Sequence, residues 1–322
     1  MIGQCGETLT EPGTYIVNQT LTGGGLGSCI TIAGSYITLT GTAGGGIDGS
    51  FQDADVTVLP GGYTNIVLSG LILVNSYNSG VLINAANYTS FGTPFSDQIS
   101  VINNTITAGD EGVWILGCTG CVVDGNTITP YPGAQITPDS GMVIDGATDI
   151  AISNNVVTAG YRTAAVEFVD LNIRAEVSRN RLIGAGLAGA IGTVHNGDLR
   201  QSRIYNNEIT GEVLGIYWTH MGGVSQLNAF KGDMGIEFYQ NSIVGNVIST
   251  PFCIYLPAMY SPLEYPMWDG NVEVGASHPQ YAKVFGNYLA NNVCAPASVS
   301  NFGNMNYFVP GRMYDGNPSG NR

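Results

Sequence analysis

Two carboxylates and a row of aromatic rings are the residues whose types and spacing bear most directly on chemistry. Asp145 and Glu167 fall on neighbouring turns of a repeating chain, roughly 5 to 7 Å apart at a 4.8 Å rise per turn. That is inside the window for an acid and a base or nucleophile flanking a glycosidic bond, and they form the expected catalytic pair. Glu237 is expected three turns beyond Glu167, on the order of 14 Å away, too far to be the second member. At the same outward strand position come Leu82, Trp114, Val143, Glu167, a place near Ile191-Gly192, Tyr217, Glu237 and Tyr255. Two residues further on come Asn84, Asp145, Thr219 and Tyr239. Rings interleaved with acids suit a sugar chain, the rings taking its apolar faces and the acids its hydroxyls. Trp114, Tyr217, Glu237, Tyr239 and Tyr255 are therefore expected to bind substrate, unless the rings are only what any long sheet exposes or lie under a loop. His195 and His220 follow strands at corresponding turns and join the binding set as candidate acids or bases, or are plain polar surface.

The elements that must position these residues show as two recurring phrases. The first is an alternating apolar run, then Asn, one residue and an aliphatic or aromatic: Asn104-Thr105-Ile106, Asn126-Thr127-Ile128, Asn155-Val156-Val157, Asn180-Arg181-Leu182, Asn207-Glu208-Ile209, Asn228-Ala229-Phe230 and Asn246-Val247-Ile248. Successive Asn lie 22, 29, 25, 27, 21 and 18 residues apart, a loose period that fits a coiled β-repeat. The second phrase reads Gly80-Val81-Leu82-Ile83, Gly112-Val113-Trp114-Ile115, Gly141-Met142-Val143-Ile144, Ala165-Val166-Glu167-Phe168, Gly215-Ile216-Tyr217-Trp218 and Gly235-Ile236-Glu237-Phe238. Its second and fourth positions are always apolar and its third varies, the period of a strand with one buried face. The expected fold is all-β: a single-stranded parallel β-helix, a solenoid with N- and C-terminal caps and at least two strands per coil. The Asn are expected to stack as a buried ladder serving the backbone at a corner.

Composition agrees. Only 11% of the 322 residues are charged and 46 are Gly, yet 44% are hydrophobic, so the low charge does not mean disorder. A net charge of −14 with two Lys argues against nucleic acid as a partner, because phosphate binding needs clustered cations. No apolar run of about 18 residues offers a membrane span. Met1-Ile2-Gly3-Gln4 leads straight towards the first strand without a signal-peptide pattern, so a leader has been removed or the protein is made without one.

In order, residues 1–49 read as an N-terminal cap and first coil, residues 50–289 as coils, and residues 290–322 as a C-terminal cap, all one domain. The repeat is expected to break at residues 50–62. An insertion at residues 257–280, with Tyr260, Tyr265 and Trp268, is expected to wall a groove or serve a subunit contact. Cys5 and Cys29 bracket the first module and are expected to bond. Cys118-Thr119-Gly120-Cys121 sits in a turn without the helix a redox motif needs, leaving a local disulfide or two free thiols. Cys253 and Cys294 can bond if they lie on adjacent coils. The histidines have no spacing that completes a zinc site, and no cofactor is implied. Arg181 should stack beside Glu208 and Arg203 beside Glu176 as cross-strand ion pairs, leaving Arg162, Arg174, Arg200 and Lys231 for any substrate acid.

The opening Cys5-Gly6, Pro12-Gly13-Thr14-Tyr15, Cys29-Ile30 and Ile37-Thr38-Leu39, with the repeat behind it, resembles right-handed parallel β-helix proteins of the pectin-lyase-like superfamily. The resemblance extends to about Leu289. It implies the fold, and a carbohydrate-directed activity among several. The paired-Asp and Gly-His-Gly motifs of polygalacturonases and the Asp-Pro-His-Glu motif of alginate epimerases are absent. The expected function is an extracellular protein that binds or cleaves polysaccharide, a glycosidase or lyase type, using the exposed sheet as its groove. The alternative is a non-catalytic surface or assembly protein, a filament, sheath or virion spike subunit that self-associates. Six Cys and sequons at Asn18, Asn87 and Asn103 point to an extracellular, cell-surface or virion-surface setting.

Overall fold

The computed structural model describes residues 1–23, 27–50, 54–84, 96–131, 140–160, 164–184, 190–193, 197–211, 214–218, 236–239, 241–250 and 252–255, and beyond these short strands between residues 282 and 309. Among the described residues there is no helix. One coil runs through the strands Glu111–Leu116, Val122–Asp124 and Thr127–Pro130, and the next through Met142–Asp145, Ala151–Ser153 and Val156–Thr158. Equivalent strands pair in parallel from coil to coil, giving three sheets of 14, 12 and 10 described strands. They are called here sheet 1, sheet 2 and sheet 3, in the order of the strands just named. The second phrase of the sequence builds sheet 1; the first phrase crosses from sheet 2 to sheet 3 at its Asn.

Stacking like on like makes the core. Val113 faces Met142, Ile115 faces Ile144, Val123 faces Ile152 and Ile106 faces Ile128, and all of these side chains are buried. β-branched side chains suit this surface, and each fully buried aliphatic is worth about 1.5–3 kcal/mol over leaving it in water. The Gly that opens the second phrase has a steric cause. A Cβ on Gly112 would stand 2.2 Å from Ile128 Cγ2 and 2.6 Å from the Gly141 carbonyl oxygen, where sheet 3 turns tightly into sheet 1.

The Asn ladder occupies the corner between sheets 2 and 3. Asn155 shows the pattern: its backbone N–H donates to Asn180 Oδ1 at 2.9 Å, and its Nδ2 donates to Asn180 Oδ1 and to the Val123 carbonyl, both at 2.9 Å. The same bonds join Asn104, Asn126, Asn155, Asn180, Asn207, Asn246 and Asn292. The residue before each ladder Asn from 104 to 246 adopts a left-handed conformation, with φ between 54° and 68° at Asn103, Gly125, Asn154, Arg179, Asn206 and Gly245, a turn that Asn and Gly enter most cheaply.

Coils have three strands, within the expectation of at least two. Other expectations are corrected. The ladder steps directly from Asn207 to Asn246, so Asn228, which lies outside the described residues, is not a rung. The repeat does not break at residues 50–62: Ala54–Val58 is a strand of sheet 1, pairing with Ile30–Ile32 and with Ser79–Asn84. Its buried acid, Asp55, disguises the alternation. Winding begins at Glu7–Leu9, which pairs with Ile30–Ile32, and continues past residue 290 to Val299–Asn301 and Tyr307–Val309.

A further correction concerns Glu237. The strand Val166–Ile173 is eight residues long; its start pairs with Ile191–Thr193 and its end with Gly197–Arg200. Ile236–Tyr239 stacks on the second branch, with Phe238 opposite Leu199, while Leu214–Trp218 pairs directly with Phe252–Tyr255. Glu237 and Tyr239 thus leave the column that holds Tyr217 and Tyr255. The apolar pattern is shared by both branches, so it could not tell them apart.

Cys5 and Cys29 are bonded, with Cα atoms 4.3 Å apart, and so are Cys118 and Cys121, which resolves the open reading of that turn. Cys294 lies opposite Ile248; the side chains of Cys253 and Cys294 are outside the described set. Both expected Arg–Glu registers hold. Arg181 and Glu208 are 4.0 Å apart, but Glu176 instead accepts from the Tyr205 hydroxyl and Arg203 lies over the Tyr205 ring, 5.5 Å from its centroid. Arg174 is engaged by Asp149 through two bonds, of 2.5 and 2.7 Å. Burial, and next the charge of Asp48, pushes the Asp55 carboxyl up to about 9.

Candidate functional site

The outward face of sheet 1 carries a continuous column. Pair by pair it runs Thr57, Leu82, Trp114, Val143, Glu167, Gly192, Tyr217, Tyr255 and Asn301. The row two residues on is Asn84, Leu116, Asp145 and Val169. Because Val143 is opposite Glu167 and Val169 opposite Asp145, the two acids are diagonal neighbours on adjacent coils, with Cα atoms about 8 Å apart by strand spacing. Both are buried, Asp145 at 7% and Glu167 at 3% exposure.

Glu167 does not act alone at its end of the face. Ser140, one coil earlier at the corner entering sheet 1, donates from Oγ to Glu167 Oε2 at 2.7 Å. Glu111, one coil before Ser140, accepts at Oε2 from Ser79 Oγ of the preceding coil at 3.2 Å. Beside Glu111 stands Asp110, half-buried, whose carboxyl is raised above the usual carboxylate range first by burial and then by the negative charge of Glu167. Asp110 and Ser140 line one notch, with Gly112, Thr129, Pro130 and Gly141. Asp110 and Glu167, on coils two apart, are near enough for the charge of Glu167 to act on Asp110, which is biased towards its protonated form. That is the arrangement by which proteins separate an acid from a base made of the same chemical group.

Trp114 stands next to this cluster in the column. It is half-buried, and its indole N–H is buried without a hydrogen-bond partner. Tyr217 and Tyr255 continue the column at backbone level; their side chains lie outside the described set, as do His195 and His220 altogether. No group of three or more His, Cys, Asp or Glu gathers to hold a metal among the described residues. Asp110 is the residue that the spacing argument missed. Its signal was present: Asp110-Glu111 stands directly before Gly112, which opens a copy of the second phrase, and so lies at the entry corner of the sheet and not at its outward positions.

No protein-family model and no curated protein sequence matches the chain. Among solved structures it is similar to the DFA-IIIase mutant C387A from Arthrobacter chlorophenolicus A6, at 12% identity and a TM-score of 0.54, over 90% of this chain and 67% of that one. It is also similar to the mannuronan C-5 epimerase AlgE4 A-module of Azotobacter vinelandii, at 10% identity and a TM-score of 0.38, over 90% and 91%. A third is the endo-xylogalacturonan hydrolase from Aspergillus tubingensis, at 11% identity and a TM-score of 0.39, over 97% and 88%. At these identities the likeness is one of fold. With three all-parallel sheets wound on one axis, the chain has the fold of a right-handed parallel β-helix.

Proposed function

We propose that the face of sheet 1 around Trp114 and Glu167 binds a polysaccharide, and that Asp110 and Glu167 act on it as acid and as base or nucleophile. The observation that carries this reading is the Asp110 carboxyl, raised by burial and by the charge of Glu167, with Ser140 lining the notch beside Asp110 and donating to Glu167. Glycoside cleavage needs one carboxyl that arrives protonated and a second that arrives charged. Asp110 gives its proton to the glycosidic oxygen as the bond to the anomeric carbon breaks. Glu167 either takes a proton from the attacking water or attacks that carbon itself. Trp114 stacks on a sugar ring beside the notch, with Tyr217 and Tyr255 extending the platform. Asp145, diagonal to Glu167, completes the acidic face. The disulfides Cys5–Cys29 and Cys118–Cys121 support an extracellular or surface setting.

The test is incubation of the full chain with a panel of neutral and acidic polysaccharides, with products read by mass spectrometry. Wild type is expected to shorten a polymer, and Asp110→Asn and Glu167→Gln each to lose about 100-fold or more in rate. Undiminished turnover in both variants would overturn the assignment, and turnover lost only in Asp145→Asn would move the pair to Asp145. A second reading, a non-catalytic surface or assembly subunit, draws on the burial of Glu167 and Asp145 to 3% and 7%. Ordered polymers of the chain in light scattering, with no glycan product, would favour it.

A further inference from the structure

Two coils before Glu111, the strand Ala54–Val58 carries a carboxyl that nothing in the core accounts for. Asp55 is 0% exposed, and neither of its oxygens has a hydrogen-bond partner. Its Oδ1 lies 2.4 Å from the point where a Cβ on Gly49 would sit, and the Asn75 carbonyl oxygen lies 3.1 Å from that same point. The Cα of Ser76 is 3.1 Å from it as well, and the Ser76 hydroxyl is also buried without a partner. Asp48 is near enough for its charge to act on Asp55. Its own Oδ1 is held by the Ser50 backbone N–H at 2.9 Å and by Asn75 Nδ2 at 3.1 Å.

Native folds do not leave both oxygens of a buried carboxyl, and a hydroxyl beside it, without a donor unless something else meets them. The donors recorded at this corner, the Ser50 backbone N–H and Asn75 Nδ2, reach Asp48 and not Asp55. We propose that Asp48, Asp55, the Asn75 carbonyl and the Ser76 hydroxyl hold a hard divalent cation of calcium's size in the early coils. The donors are all oxygen, of mixed charge and on separate strands and turns, which suits the loose six- to eight-fold shell of calcium better than the tight octahedron of magnesium. Water completes the shell. Gly49 leaves the room: an alanine there would put its Cβ 2.4 Å from Asp55 Oδ1. The cation bridges the turn after Gly46–Asp48, the strand Ala54–Val58 and the end of Ile72–Ser76, tying three sections of the early winding together.

Equilibrium dialysis of the full chain against calcium chloride, after stripping with a chelator, tests this, with thermal unfolding read with and without calcium. The expected result is stoichiometric binding with a rise in Tm, both lost in Asp55→Asn and weakened in Asp48→Asn, while magnesium chloride binds more weakly. Absence of binding at millimolar calcium, or binding undiminished in Asp55→Asn, would overturn the proposal. Should Asp55→Asn not fold, Asp48→Asn decides: unchanged calcium affinity there overturns it and reduced affinity supports it.

Discussion

Residues taken singly behave here according to which side of a strand or turn they occupy. Asp149 and Arg174 are held in the left-handed conformation at equivalent turns of adjacent coils, with φ of 55° and 54°, so their side chains meet outside the helix. The Arg174 hydrogen bond, more than its charge, holds the Asp149 carboxyl below its usual value. A carboxyl lowered on folding stabilises above the unfolded pKa, near 3.9, and that contribution is lost as pH falls through the folded value. With side chains 47–50% exposed, solvent and salt screen most of it. In Arg174→Ala the Asp149 carboxyl, followed by NMR, is expected to titrate close to 3.9. The stability gap from wild type should be present at neutral pH and close towards pH 2 to 3; a gap that widens on acidification would contradict this. Sequence patterning recorded that Arg174 was a cation but not its partner, because turn residues keep no fixed period while strand residues do.

At the level of the element, the ladder corner does more to define a coil than any strand. Strands here are as short as two residues and cannot hold register unaided. Each ladder Asn serves the backbone N–H of the rung before it and a carbonyl of the same corner, so register is set where the chain turns. Asn155→Ala would take the acceptor from the Asn126 N–H, remove one of the bonds of Asn126 Nδ2 and remove the Asn155 donor to the Val123 carbonyl, at about 1–3 kcal/mol for each buried group left unpaired. A loss of about 3 kcal/mol or more is expected in urea unfolding, against a change within about 0.5 kcal/mol for exposed Asn206→Gly, where φ is already positive. Equal effects of the two would mean that the ladder is incidental. These Asn were legible as a column because their spacing repeats and an apolar run flanks each one. Ala54–Val58 was not, since Asp55 breaks the hydrophobic signal that marks a strand, and the branch at Val166–Ile173 was not, since both branches carry the same alternation.

For the molecule as a whole, winding decides what can meet. Residues far apart in sequence become vertical neighbours, and the face of sheet 1 was readable in advance at Trp114, Val143, Glu167, Tyr217 and Tyr255 for that reason. Glu237 fell away because a coil of 39 residues, measured from Asn207 to Asn246, stands where two shorter ones were expected. Asp110 escaped because it acts from the corner, where period-two reasoning has no purchase. The account therefore rests on the charge of Glu167 reaching Asp110 although two coils separate them. The direct measurement is the titration of the Asp110 carboxyl by carbon-13 NMR in wild type and in Glu167→Gln. The expected result is a value above the ordinary carboxylate range in wild type that drops once the Glu167 charge is removed. An Asp110 that titrates identically in the two proteins would contradict the pairing, and with it the proposed chemistry.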